Sequence, residues 1–310
     1  MEGLADLHRH LDGSMRAATL RRLAAEVGAP LPELPRFFAG MGLDAALACF
    51  ATTLRTLQRP AAIAEVAAEI AEDAARDGVT TLELRFAPQL HCDAVGGAAA
   101  PGAMAAMAAA VDAALEGLDR RAGLLLCVLY GDPPALAEAL VDLAATRPGV
   151  VGVDLAGGPA PTHDFAMTDY APAFRRARGL GLGVTVHAGE GRPPAEIAVA
   201  IEQLGALRIG HGTTLLDDPA VTELVATRGV TIEACVTSNV HVGAVATAAD
   251  HPLPRWLAMG IKACVNTDNT LLSAVDAAEE HRRVRALPGM DDALLAAAVA
   301  HGHAAAFVRG

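Results

Sequence analysis

Val184-Thr185-Val186-His187-Ala188-Gly189-Glu190 opens as a strand and ends on two reactive side chains. β-Branched residues favour extended backbone, and Ala188 and Gly189 allow a tight turn that brings Glu190 back toward the space His187 faces. A lone His-x-x-Glu has an ordinary explanation, a hydrogen-bonded core histidine beside a solvated acid. Its meaning therefore depends on what the other strands present.

The same form, a short apolar run followed by a longer helical pattern, recurs along the chain. Candidate strands are Gly3 to Leu7, Thr80 to Phe86, Leu124 to Leu129, Val150 to Leu155, Gly183 to His187, Leu207 to His211, Val230 to Cys235 and Ile261 to Asn266. Repeated βα units predict a parallel sheet, and about eight of them match a (β/α)₈ TIM-type barrel. An open doubly wound sheet gives a similar one-dimensional pattern, although no glycine-rich phosphate fingerprint follows the first strand. The first connection, Ser14 to about Gly78, is too long for one helix and contains the Pro30 to Pro35 loop, which predicts extra helices capping the barrel mouth after strand one. With no internal repeat or linker, residues 1–310 read as a single domain.

Lys+Arg 24 against Asp+Glu 36 gives a net charge of -12, a field that repels phosphate backbones, and 3% aromatic residues make a poor base-stacking platform. Nucleic acid is not an expected partner; a small neutral or cationic ligand fits better. The alanine-rich stretch Ala98 to Leu118 is broken by Pro101, Gly102, Asp112 and Glu116, so it predicts an amphipathic helix and no membrane partner. Cys49, Cys92, Cys127, Cys235 and Cys264 are scattered and odd in number, as buried thiols in a reducing compartment would be. Met1 to Asp6 carries no secretory signal pattern, and the expected location is cytoplasmic. The sequence leaves the oligomeric state open.

In a barrel, reactive groups project from the C-terminal ends of strands. Strand one finishes in His8-Arg9-His10, whose imidazoles, two residues apart, share one side. Strand five ends in His187, strand six in His211 between Gly210 and Gly212, and strand eight in Asp268. The other seven histidines (His91, His163, His241, His251, His281, His301 and His303) fall in helices or loops and read as ordinary hydrogen-bonded residues. Three neutral imidazoles and a carboxylate suit one zinc ion, so His8, His10, His187 and Asp268 are the expected ligands. A two-metal site bridged by a carbamylated lysine is excluded, because the sole lysine is Lys262 near the start of strand eight. Glu190 and His211 are then free for proton work, the first shuttling a proton and the second orienting the attacking hydroxide. Glu83, Asp154 and Glu233 read equally well as supports for the histidine rings or as ordinary core hydrogen bonding.

Leu7-His8-Arg9-His10-Leu11-Asp12-Gly13-Ser14, His187-Ala188-Gly189-Glu190, His211-Gly212, Thr237-Ser238-Asn239 and Asn266-Thr267-Asp268 together resemble the adenosine deaminase family, over nearly the whole chain. Glu83-Leu84-Arg85-Phe86-Ala87-Pro88 and Asp154-Leu155-Ala156-Gly157 follow the family's order. The resemblance implies a barrel with one catalytic zinc and hydrolytic removal of the 6-amino group of a purine nucleoside such as adenosine or deoxyadenosine. It implies His8, His10, His187 and Asp268 as zinc ligands and Glu190, His211 and Asp268 as catalytic residues. Substrate contacts follow from it at His10, Asp12 on the ribose and the Gly157 amide on N3. Three positions depart from the family pattern: Asn269, Gly158-Pro159 and Val236. Where the family carries a second aspartate facing purine N7, an acceptor, the Asn269 amide donates at any pH. These departures widen the substrate to a modified nucleoside such as aminodeoxyfutalosine, and less readily to free adenine. A barrel hydrolase acting on another C–N or ester bond, and a silent metal or nucleoside binder, are the readings from other classes.

Overall fold

The computed structural model describes residues 3–29 and 31–308. Pro30, which opens the expected Pro30 to Pro35 loop, lies outside them. The order is β1 (Leu4–His10), α1 (Ala17–Glu26), α2 (Leu43–Leu54), α3 (Pro60–Arg76), β2 (Val79–Phe86), α4 (Ala103–Leu118), β3 (Gly123–Leu129), α5 (Pro134–Ala145) and β4 (Val150–Ala156). It continues with α6 (Ala171–Gly179), β5 (Gly183–Ala188), α7 (Ala195–Glu202), β6 (Arg208–His211), α8 (Pro219–Arg228), β7 (Thr231–Ala234), α9 (Val236–His241), α10 (Leu253–Ala258), β8 (Ala263–Val265), α11 (Ala277–Arg285) and α12 (Asp292–Ala305).

Each strand pairs in parallel with the next, in the order β1 to β8. The two outer strands then meet: Arg9 and Asp268 form a parallel bridge, the His10 N–H donates to the Asp268 carbonyl at 2.8 Å, and the Asp268 N–H donates to the His8 carbonyl at 2.8 Å. Sequential order with joined edges is the (β/α)₈ barrel; a doubly wound sheet would reverse its strand order. The strands are near-continuous apolar runs because both faces are buried, as β3 and β5 illustrate. On α3, Ile63, Val66 and Ile70 supply the inward stripe, and Pro60 at the first turn starts the helix where its missing N–H costs nothing.

Two boundaries differ from expectation in ways that matter for the site. β1 runs to His10, past the expected end at Leu7, because its last residues are paired on both sides, with β2 and with the Asp268 segment. β8 stops at Val265, before Asn266, because the Asn266 side chain replaces the ladder there, its Oδ1 accepting from the Leu7 N–H at 2.8 Å. The extra helices α1 and α2 fill the long first connection, and α2 lies against the mouth through Leu47 and Phe50. Among the described residues no helix is long and apolar enough to cross a membrane; α4 buries Met107, Ala110, Val111 and Ala114 instead.

Inside the barrel a layer of charge is fully buried. Arg85 donates to Asp154 at 2.8 Å and to Glu233 at 2.9 Å, while Arg208 donates to Glu233 and Glu83, each at 2.6 Å. Removing one member strands a charge in a low-dielectric interior, which costs about 3–5 kcal/mol. Arg208→Ala should therefore lower stability by about that much, read as a fall in the denaturant midpoint.

Candidate active site

The barrel axis collects the expected side chains at its C-terminal mouth. Alternation along β1 puts His8 and His10 on one side, β5 brings His187, β6 ends on His211, and the closing segment after β8 brings Asp268. The ring of His8 lies 4.5 Å from that of His187, 4.8 Å from His211 and 5.3 Å from His10, between centroids. Such crowding needs a residue without a side chain at Gly210, where a Cβ would stand 2.9 Å from the His8 ring. His211 and Asp268 both adopt left-handed backbone, with φ of 70° and 62°. A non-glycine residue held there is a strained one, and such strain gathers at functional sites.

Ligand atoms of His8, His10 and His187 lie within 4.8 Å of one another, as do those of His8, His211 and Asp268. The hydrogen bonds behind each ring decide which nitrogen lone pairs face this space. His8 Nδ1 meets Glu233 Oε2 at 2.6 Å and His187 Nδ1 meets Asp154 Oδ1 at 3.1 Å. Burial opposes ionisation of both acids, yet Arg85 and Arg208 hold Glu233, and His187 and Arg85 hold Asp154, below the ordinary carboxylate range. A carboxylate only accepts, so each Nδ1 carries the proton, and in the neutral ring each Nε2 presents a lone pair. The His8 Nε2 is buried with no hydrogen-bond partner among the described residues, so its lone pair could meet a cation. His10 directs its Nε2 to 3.4 Å from Asp268 Oδ1. Of the three strand acids that could support histidines, Asp154 and Glu233 do; Glu83 instead holds Arg208 and the backbone N–H groups of Phe307 and Val308.

His211 is held the other way round. The Leu253 N–H donates to His251 Nδ1 at 3.2 Å, so the His251 proton is on Nε2, which donates to Asn239 Oδ1 at 3.1 Å. That fixes the Asn239 amide, whose Nδ2 donates to His211 Nδ1 at 3.0 Å and reaches Glu190 Oε1 at 3.5 Å. His211 consequently carries its proton on Nε2 and offers the site an N–H, with no lone pair there. Burial, reinforced by His187, pushes this ring down to about 3, so it is neutral. Burial also raises the Glu190 carboxyl above its ordinary value, against the opposing pull of His187 and Arg192.

These groups face a cavity of about 60 Å³ whose lining includes Glu190, His211, Asp268, Asn269 and Gly157, roofed by Leu43, Leu47 and Phe50 of α2. The Asn269 Nδ2 donates to Asp268 Oδ1 at 2.6 Å, leaving its second hydrogen uncommitted. Gly157, at φ 79°, has nothing within 4 Å of where a Cβ would be, so its backbone borders open space. Asp12 lies apart from this cavity and lines an adjoining one. Asn239 and His251 are the residues sequence reasoning missed. Asn239 stands in the Thr237-Ser238-Asn239 motif without an assigned role, and His251, in a loop, carried no signal of its own.

A family model described as adenosine deaminase matches residues 3–309. The chain is 35% identical to an adenosine deaminase of Erwinia tasmaniensis, covering 98% of this chain and 94% of that one. To an adenosine deaminase of Enterococcus faecalis it is 33% identical, covering 90% and 84%. Among solved structures, an adenine deaminase from Arthrobacter aurescens superposes with a TM-score of 0.84 at 23% identity, covering 100% of this chain and 95% of that one. An amidohydrolase from Burkholderia ambifaria with bound Zn gives 0.82 at 24%, covering 99% and 86%. At these identities the two structures bear on the fold alone.

The Asn239 relay has a direct readout. In metal-free protein, ¹⁵N spectra should put the His211 proton on Nε2. Asn239→Asp, an acceptor in place of a donor, should move it to Nδ1 and lower kcat by about 10–100-fold with little change in KM.

Proposed function

This chain belongs to the adenosine deaminase family, and on that premise we propose that it removes the 6-amino group of a purine nucleoside by hydrolysis. The observation that carries the reading is the convergence of outward-facing imidazole lone pairs, Asp268, Glu190 and His211 on one buried cavity. His8, His10 and His187, each through Nε2, and Asp268 would hold one divalent ion, and three imidazoles with a carboxylate match zinc best. Bound there, zinc would supply the Lewis acidity that makes water a nucleophile near neutral pH.

The remaining residues handle protons and position. Glu190, whose buried carboxyl stays protonated further up the pH scale than usual, gives its proton to N1 of the purine, which makes C6 electrophilic. The water oxygen bonds to C6 as a proton passes to Glu190, and His211 steers that oxygen with its Nε2–H. The C6–N bond then breaks as the amino group takes that proton from Glu190 and leaves as ammonia, and the proton remaining on the C6 hydroxyl passes back to Glu190, giving the 6-oxo product. The free hydrogen of Asn269 suits N7, the Gly157 N–H suits N3, His10 borders the substrate, and Asp12 suits the sugar. We read residues 1–310 as one catalytic unit acting in the cytoplasm, a compartment that suits its five unpaired cysteines.

Metal-loaded protein should release ammonia from adenosine or deoxyadenosine; silence on every 6-aminopurine nucleoside would reject the reading. Glu190→Gln should keep its metal and lose about 10²–10⁴ in kcat. His10→Ala should purify with well under one equivalent of metal, and stoichiometric zinc in that variant would remove His10 from the ligand set.

A further inference from the structure

The reaction cavity adjoins a larger one of about 240 Å³, and His10, Leu47, Phe50 and Gly157 border both. Its single formal charge is Asp12, which is 6% exposed and whose Oδ1 has no partner among the described residues. Leu54, Leu90 and Leu129 give it an apolar wall, and among the described residues neither lysine nor arginine lines the space. If the purine occupies the reaction cavity, whatever its N9 carries enters this one.

We propose that the second cavity receives the sugar of a nucleoside bearing an uncharged, apolar group at its 5′ position, of the alkylthio kind, and disfavours a 5′-phosphate. The inference rests on the deaminase reading, which puts the purine next door. A ribose brings three hydroxyls, whereas the cavity offers one unpartnered carboxyl oxygen. The 5′ carbon extends furthest from N9, so its substituent reaches past Asp12 toward the leucine wall. A hydroxyl buried there finds no partner, while an alkylthio group exchanges water for apolar contact. A phosphate would meet a carboxyl group with no cation to offset either charge.

Binding is measured on Glu190→Gln protein loaded with zinc, so that nothing is turned over, with 5′-methylthioadenosine, adenosine and AMP as probes. The methylthio nucleoside should bind about 10-fold or more tighter than adenosine, and AMP should bind more weakly than both. AMP binding equal to or tighter than the methylthio nucleoside overturns the proposal, as does adenosine binding best. Leu54→Arg, which sets a cation in the apolar wall, should shift the ratio of methylthio to AMP affinity toward AMP; an unmoved ratio also counts against it. Because each ratio is taken within one protein preparation, partial unfolding does not imitate it. Ammonia release by the wild-type protein is followed separately. Its absence would defeat the deaminase reading, whereas the ordering of affinities tests the cavity alone.

Discussion

Glu233 is the group on which both the barrel interior and the site depend. From β7 it accepts hydrogen bonds from Arg85 of β2, Thr185 of β5 and Arg208 of β6, and it meets His8 of β1. A carboxylate this deeply buried is tolerable only when its oxygens are fully engaged and its charge is opposed. The layer holds two guanidinium groups against three carboxylates, Glu83, Asp154 and Glu233, an excess of one negative charge directly below the imidazole cluster. That excess favours a cation above it, so the interaction that stabilises the core also prepares the mouth for a metal.

The same logic distributes roles among chemically identical rings. An imidazole backed by a carboxylate turns a lone pair outward, whereas one backed by an amide N–H turns a proton outward. His8 and His187 have Glu233 and Asp154 behind them; His211 has Asn239. Distance alone would allow His211 as a metal ligand, since it lies as close to His8 and Asp268 as a ligand would. The hydrogen-bond direction separates it from His8 and His187.

Much of this was legible in the sequence because it is local. Period-two spacing set His8 and His10 on one face, and the strand-helix alternation set the fold class. A barrel was expected, but the pairing that closes it was not legible, since it joins Arg9 to Asp268 over a long range. The division among the strand acids was hidden for a related reason. Glu83 and Arg85 share a face of β2, but Glu83 lies one layer deeper, at the level of Arg208 and the backbone of Phe307, out of reach of the histidines. Asn239 and His251 escaped because their importance comes only from each other and from His211, contacts that no periodicity encodes.

Asp268 joins these threads. Its left-handed backbone costs of order 1–3 kcal/mol for a residue with a side chain, and the pairing with β1 is what maintains it. Both its N–H and its carbonyl are bonded to β1, to His8 and His10 respectively. Those are the two histidines whose side chains share the cluster with its carboxylate. The bonds that close the barrel are therefore the bonds that aim the carboxylate, and a chain with this seam open would lack the barrel and the imidazole–carboxylate cluster together. Assembly of the site is in this sense a property of closure, which explains why a strained residue persists where a glycine would fit more easily: only a side chain at this point can bring a carboxylate into the imidazole cluster.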